Sequence, residues 1–193
     1  MSKSKRLLLE AGRELFWRYG FRRVSVDEIC RSAGVSKMTF YRYFPDKTTL
    51  AKTVFSLEVK SGMHDFRLLM KSDKTGAQKI AGMLHLKSKA AKNISRAFLL
   101  DFYQHNDTGL REFIEKLSAE AWQETLELMI ENQQSGVFRA DINLKFLLAL
   151  SQKLMDMIHD EQLIAVAGGA ENMVIELSKL LAFGVAGHMP QHQ

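Results

Sequence analysis

Apolar residues recur at spacings of three and four through most of the chain, and the breaks fall at glycine, proline and capping residues. A first helix, opened by Ser2 or Ser4, places Leu8, Ala11, Leu15 and Tyr19 on one stripe with Phe16 beside it, and Gly20 closes it. Ser25 and Glu28 stand in the S-x-x-E spacing of a capping box, which satisfies two orphaned backbone donors at a helix start. A second helix therefore begins near Val26 and turns Val26, Ile29, Cys30 and Ala33 inward. Gly34 ends it, because a left-handed turn residue costs least as glycine. Ser36 caps a third helix, and Pro45 forbids continuation beyond Phe44.

On that two-turn third helix Phe40 and Phe44 share one side, while Lys37, Met38, Tyr41 and Arg42 occupy the other. Such a face suits the DNA major groove, where arginine or lysine bonds to base edges and thymine methyls take apolar contacts. The alternative reading of the same residues is a small three-helix knot with a solvated basic face.

Asp46 caps a fourth helix, predicted from Lys47 to about Met70, with Leu50, Val54 and Leu57 on one side and Met63, Phe66 and Leu69 further on. After a loop over residues 71–76, Ile80, Met83, Leu84 and Leu86 lie in a helix whose lysines, Lys79, Lys87, Lys89 and Lys92, form an exposed face. Residues 94–105 are apolar nearly all round, as a buried segment is. A long helix follows from residue 107 or 108 to about 134, then a turn over residues 136–143.

Two helices finish the pattern, residues 144 to about 160 and 170 to about 184, and both are apolar on more than one face. A pair of this kind needs a second copy of itself as well as its own core. Leu147, Leu150, Leu154, Ile158, Val174, Leu177 and Leu181 are the expected dimer contacts; a thicker single-chain core is the alternative.

The class is thus all-α: a helix-turn-helix head, residues 1–46, joined to a helical dimerisation body, residues 47–193. Only two prolines in 193 residues and 46% hydrophobic composition agree with this. No apolar run reaches the ~18 residues of a membrane span, and the start of the chain is too short in apolar residues for a signal peptide, so a cytoplasmic protein is expected. Its single cysteine, Cys30, cannot form an internal disulfide and sits on an inward stripe. No metal-ligand spacing, phosphate loop or groupable catalytic triad is present in the sequence, so neither an enzyme nor a cofactor is expected.

Charge sharpens the division. Residues 1–60 hold 13 Lys or Arg against 6 Asp or Glu, whereas the rest is slightly acidic, so the net +5 of the chain resides at the helix-turn-helix end. This is the footprint of a module that meets phosphates.

The run from Ser25 to Lys47, with Gly20 and Phe21 before it and Leu50 after it, closely resembles the DNA-binding domain of TetR-type transcriptional regulators. Gly20, Phe21, Ser25, Ile29, Ala33, Gly34, Val35, Ser36, Thr39, Tyr41, Phe44, Lys47 and Leu50 are all in register with that domain. Gly136, Phe138, Arg139 and Asp141 resemble a G-x-F-R-x-D connection of the family's bodies. The resemblance implies a dimer that reads an inverted-repeat operator in double-stranded DNA. Tyr41 and Lys47 would hold phosphates, with Ser25, Ser36, Lys37, Met38, Thr39, Arg42 and Tyr43 at the bases or backbone. Met38 departs from a glycine common at that point in the family, so the operator cannot be borrowed from relatives.

The resemblance further implies a small effector, here a hydrophobic one, bound in the body and releasing DNA. Met63, Phe66, Met83, Phe98, Phe102, Tyr103, Trp122, Leu126 and Met155 are the pocket candidates, although a methionine or aromatic stripe at helical spacing is more often plain core than a ligand contact. A DNA-binding or architectural protein without an effector is the alternative function.

Overall fold

Local chemistry sets the helix ends of the first sixty residues. The computed structural model describes residues 1–103, 108–154, 157 and 160–185; among them are ten α-helices and no strand. Helix α1 (Lys3–Tyr19) starts where the Ser2 hydroxyl accepts from the Lys5 amide and ends at Gly20, at φ +80°. Helix α2 (Val26–Ala33) opens with the complete capping box: the Ser25 amide donates to the Glu28 carboxylate at 2.8 Å, and the Glu28 amide donates to the Ser25 hydroxyl at 3.2 Å. Gly34, left-handed at φ +63°, redirects the chain. Helix α3 (Lys37–Tyr43) follows, its Thr39 amide donating to Ser36, and α4 (Lys47–Met70) opens with the Thr49 amide donating to Asp46 at 2.6 Å.

The remaining helices are α5 (Gly76–Ala91), α6 (Arg96–Tyr103), α7 (Thr108–Gln134), α8 (Leu144–Leu154), α9 (Glu161–Val166) and α10 (Ala170–Val185). Helix α9, capped by Asp160, had not been expected; at six residues it is too short for hydrophobic periodicity to show.

Packing divides the chain differently from the expected boundary at residue 46. One unit, the head, comprises Met1–Val59 and Asn93–Leu117; the other, the body, comprises Lys60–Lys92 and Ser118–Gln193. The head core gathers Leu8, Phe16, Ile29, Phe40, Phe44, Leu50 and Leu110, all essentially sealed from solvent. On α4, Leu50, Ala51, Val54 and Phe55 are buried while Leu57 is 47% exposed, so the inward stripe drifts from the expected one.

Helix α6 belongs to the head. Phe98, expected in an effector pocket, is buried there instead, its ring 4.3 Å from that of Trp17 and 5.9 Å from that of Phe55. Gly20 permits this approach: a Cβ at that position would stand 2.7 Å from Asp101 Oδ2 and 3.1 Å from the Ala97 carbonyl oxygen. The Ser95 amide also donates to the Trp17 carbonyl at 2.9 Å. The side chains of Phe102 and Tyr103, and all of Met155 and Ile158, lie outside the described residues.

The body core holds two clusters. Leu69, Met70, Ile80, Leu128, Phe138 and Ala182 form one; Met129 and Leu144 anchor the other, and Phe66 and Met83 pack against both. Lys79, expected on an exposed face, is 4% exposed, and its ammonium donates to the Met70 carbonyl and to Asn132 Oδ1, both at 2.7 Å. It thereby occupies the carbonyl end of α4, where a cation also meets the helix dipole favourably.

On α8 the expected interface residue Leu147 turns inward against Met129 and Leu144, and Leu154 is half-buried. The apolar side chains left outward on the contacting helices α8 and α10 are Phe146 (66%), Leu150 (37%), Leu180 (66%) and Phe183 (65%). Val174, Leu177 and Leu181 are half-buried.

Candidate nucleic-acid interface

Two phenylalanines hold α3 to the head. Phe40 has no residual exposure and Phe44 has 2%, with ring centroids 5.9 Å apart. Their burial directs the opposite face outward: Met38 is 84% and Tyr41 55% exposed, and Lys37 and Arg42 are exposed beside them. The Tyr41 ring stands edge-on to Phe40 at 5.3 Å, so the phenol is propped away from the core.

The polar residues of this face are engaged with one another. Lys37 Nζ lies 2.7 Å from Asp27 Oδ1 on α2, and that hydrogen bond and charge hold the Lys37 pKa above the ordinary lysine value. Arg42 stacks over the Tyr43 ring at 5.0 Å and donates to its hydroxyl at 3.4 Å. The Ser2 hydroxyl donates to the same phenol at 2.8 Å; this bond, and then the charge of Arg42, keep the Tyr43 pKa below the usual tyrosine range. The start of α1, with Lys3, Lys5 and Arg6, therefore lies beside the end of α3. Nothing local in the sequence signals either partner, since Asp27 is ten residues from Lys37 and Ser2 is 41 from Tyr43.

Ser25 and Ser36 are committed to their caps, and the Thr39 hydroxyl is 3.1 Å from that of Ser36. Cys30 is buried; burial, with Asp27 adding to it, pushes its thiol pKa up, away from the reactive thiolate.

Lys47 has a different geometry from a phosphate clamp. Its ammonium donates to the carbonyls of Phe21 (2.7 Å), Val24 (2.7 Å) and Arg22 (3.4 Å) and lies 4.3 Å from the Phe21 ring centroid. Burial lowers its pKa, partly offset by Asp101 and Glu28. The side chain thus staples the loop that leads into α2. Asp101 works on the same loop: its carboxylate accepts from the Arg22 amide at 2.8 Å and lies 3.2 Å from Arg22 Nε. Arg23 stacks on Tyr19 at 4.9 Å. A hollow of about 320 Å³ between α1 and α2 is lined by Tyr19, Arg23, Glu28, Arg31 and neighbours, but by no residue of α3.

What this arrangement offers chemically is a cationic, partly apolar ridge one helix wide. Among the described residues no group of carboxylates, histidines or cysteines could hold a metal ion, and no helix is long and apolar enough to cross a membrane.

Residues 8–54 match the family described as bacterial regulatory proteins, tetR family. No curated protein matches the chain. Among solved structures, the fatty acid degradation regulator FadR of Bacillus halodurans is similar at TM-score 0.72 and 16% identity, over 100% of this chain and 99% of that one. FadR of Bacillus subtilis in complex with stearoyl-CoA gives TM-score 0.67 at 16% identity, over 93% and 98% of the two chains. A transcriptional regulator from Saccharomonospora viridis in complex with choline gives 0.69 at 16% identity, over 97% and 100%. Residues 8–54 thus carry the sequence of the tetR family, and the chain shares its fold along nearly its whole length with these solved structures.

Proposed function

We propose that this protein is a dimeric repressor that reads an inverted-repeat operator with two copies of α3 and releases it when a small molecule occupies the body. The observation that carries the DNA reading is the fixing of α3 by two sealed phenylalanines with Met38, Tyr41, Lys37 and Arg42 outward. The cationic surplus of residues 1–60 supports it, since phosphate neutralisation supplies most non-specific affinity. On this reading the protein works in the cytoplasm, in keeping with the absence, among the described residues, of a helix long and apolar enough to cross a membrane.

The dimer is supported by the outward row of Phe146, Leu150, Leu180 and Phe183, an apolar surface of the kind soluble monomers seldom leave open. Two copies would set their recognition helices about 34–36 Å apart, one turn of the duplex. The effector is supported by a contrast in packing. The hydrophobic side chains with no residual exposure at all, Leu8, Phe16, Ile29, Phe40, Leu50 and Ala51, lie in the head, whereas Phe66, Met83, Leu84 and Leu126 of the body are only partly buried. Proteins of this fold hold ligands as unlike as stearoyl-CoA and choline, so the fold does not choose the effector.

Selection of bound sequences from a random duplex library tests the reading. A palindromic consensus is expected, with Arg42→Ala relaxing preference at one base position of each half-site. Binding without sequence preference at every salt concentration would overturn it.

A further inference from the structure

A helix-turn-helix module meets base edges mainly through the first turn of its second helix. On α3 that turn is Lys37, Met38 and Thr39, behind the cap Ser36. Its hydrogen-bonding groups are already engaged within the protein. The Lys37 ammonium lies 2.7 Å from Asp27, the Ser36 hydroxyl accepts from the Thr39 amide at 3.2 Å, and the Thr39 and Ser36 hydroxyls are 3.1 Å apart. Met38 stands among them at 84% exposure.

A single exposed apolar side chain is ordinary on a protein surface; what singles out Met38 is its direction. At about 100° per residue, Met38 and Arg42 both lie about 160° around α3 from Phe40, the fully buried anchor. They are therefore the two residues that the anchor turns furthest outward. Arg42 folds over the Tyr43 ring at 5.0 Å, whereas the thioether of Met38 extends into solvent. Elsewhere the chain uses methionine as core: Met70, Met129 and Met173 are 2%, 3% and 2% exposed.

We propose that Met38 is a specificity-determining residue that packs on the 5-methyl group of a thymine, so that each half-site holds one thymine read by its methyl and not by its hydrogen-bonding edge. The proposal rests on the reading of α3 as the DNA-contacting helix and specifies what that helix recognises. The thymine methyl is the apolar group on the base edges of the major groove. A thioether has no donor and only a weak acceptor, so it gains little from the polar edges of the other bases. Against a methyl it gains burial and dispersion, and its unbranched stem with three rotatable bonds adjusts to the position of that group.

Deleting the methyl from DNA, one thymine at a time, tests this. Duplexes selected from a random library are remade with deoxyuridine at each thymine in turn, which removes the 5-methyl group and keeps every hydrogen-bonding atom. At one position of each half-site the intact wild-type protein should bind about fourfold more weakly per lost methyl, read by fluorescence anisotropy. Met38→Ala should bind thymine and uracil there equally, whereas Met38→Leu, still long and apolar, should keep the preference. Melting of both variants at the wild-type temperature excludes misfolding. Selective binding that tolerates deoxyuridine at every thymine, or a uracil penalty that persists in Met38→Ala, overturns the assignment of Met38 and leaves the DNA reading standing. Equal binding of all sequences by the wild type overturns both.

Discussion

Lys37, the first residue of α3, is held by Asp27 of the preceding helix at 2.7 Å, so its charge is already matched within the protein. Both side chains are more than half exposed, and such a pair contributes about 0–1 kcal/mol. On the proposed reading of α3, Asp27 also brings a negative charge toward the phosphates. Replacing it with asparagine should tighten binding to all DNA sequences alike, by up to about fivefold, measured by fluorescence anisotropy at low salt. A loss of affinity would mean that the pair pre-orients Lys37 for a base contact.

Lys47 invites a test with two distinguishable outcomes. As a phosphate contact, its removal would flatten the salt dependence of DNA binding by about 0.9 in slope with no change in stability. The three carbonyls to which its ammonium donates make the opposite outcome the expected one. Lys47→Met should lower the stability of the protein by about 1–3 kcal/mol in chemical denaturation, while the protein that remains folded keeps the wild-type salt slope.

These lysines mark how far the sequence could be read. The caps of α2 and α3 rest on residues three apart, and Ser25, Glu28, Gly34, Ser36 and Pro45 stand where the helices begin and end. Phe40 and Phe44, four apart on one helix, declared the buried side of α3 in the same way. Lys47 and Lys79 look like solvated charges in sequence. A four-carbon stem lets each turn its ammonium back onto carbonyls that are 23 to 26 residues away for Lys47 and nine away for Lys79. Helix α6 was assigned to the body by chain order, but its place in the head depends on contacts such as Arg22 with Asp101, 79 residues apart, and on the missing side chain of Gly20.

The capping box of α2 carries a pH signature. The Ser25 amide, and after it the Ser25 hydroxyl, hold the Glu28 carboxyl below the ordinary 4.5 in the folded protein. A carboxylate with a depressed folded pKa stabilises the fold above its unfolded value, and that contribution disappears as pH falls through the folded value. Glu28→Gln keeps the spacing of the box but does not titrate. Wild type should therefore be the more stable protein at pH 7, with the gap closing as pH drops below about 4.5 in parallel denaturation curves. A gap that stays constant across that range would show that the charge of Glu28 is immaterial.

Neighbouring residues on α8 separate folding from assembly. Phe146 and Leu150 lie about 40° apart around the helix and face outward, whereas Leu147 packs inward against Met129 and Leu144. Leu150→Glu combined with Phe183→Glu on α10 places charges on the exposed apolar row without disturbing either hydrophobic cluster. The double variant should sediment as a folded monomer with unchanged helical content, and its operator affinity should fall steeply because one half-site binds alone. Leu147→Ala should do the reverse: it removes buried hydrocarbon, costs about 2–4 kcal/mol of stability, and leaves the sedimentation coefficient of the folded protein that of wild type. If the charged pair leaves the association state untouched, the outward row is covered by something other than a second copy, and the spacing of two recognition helices must be set elsewhere.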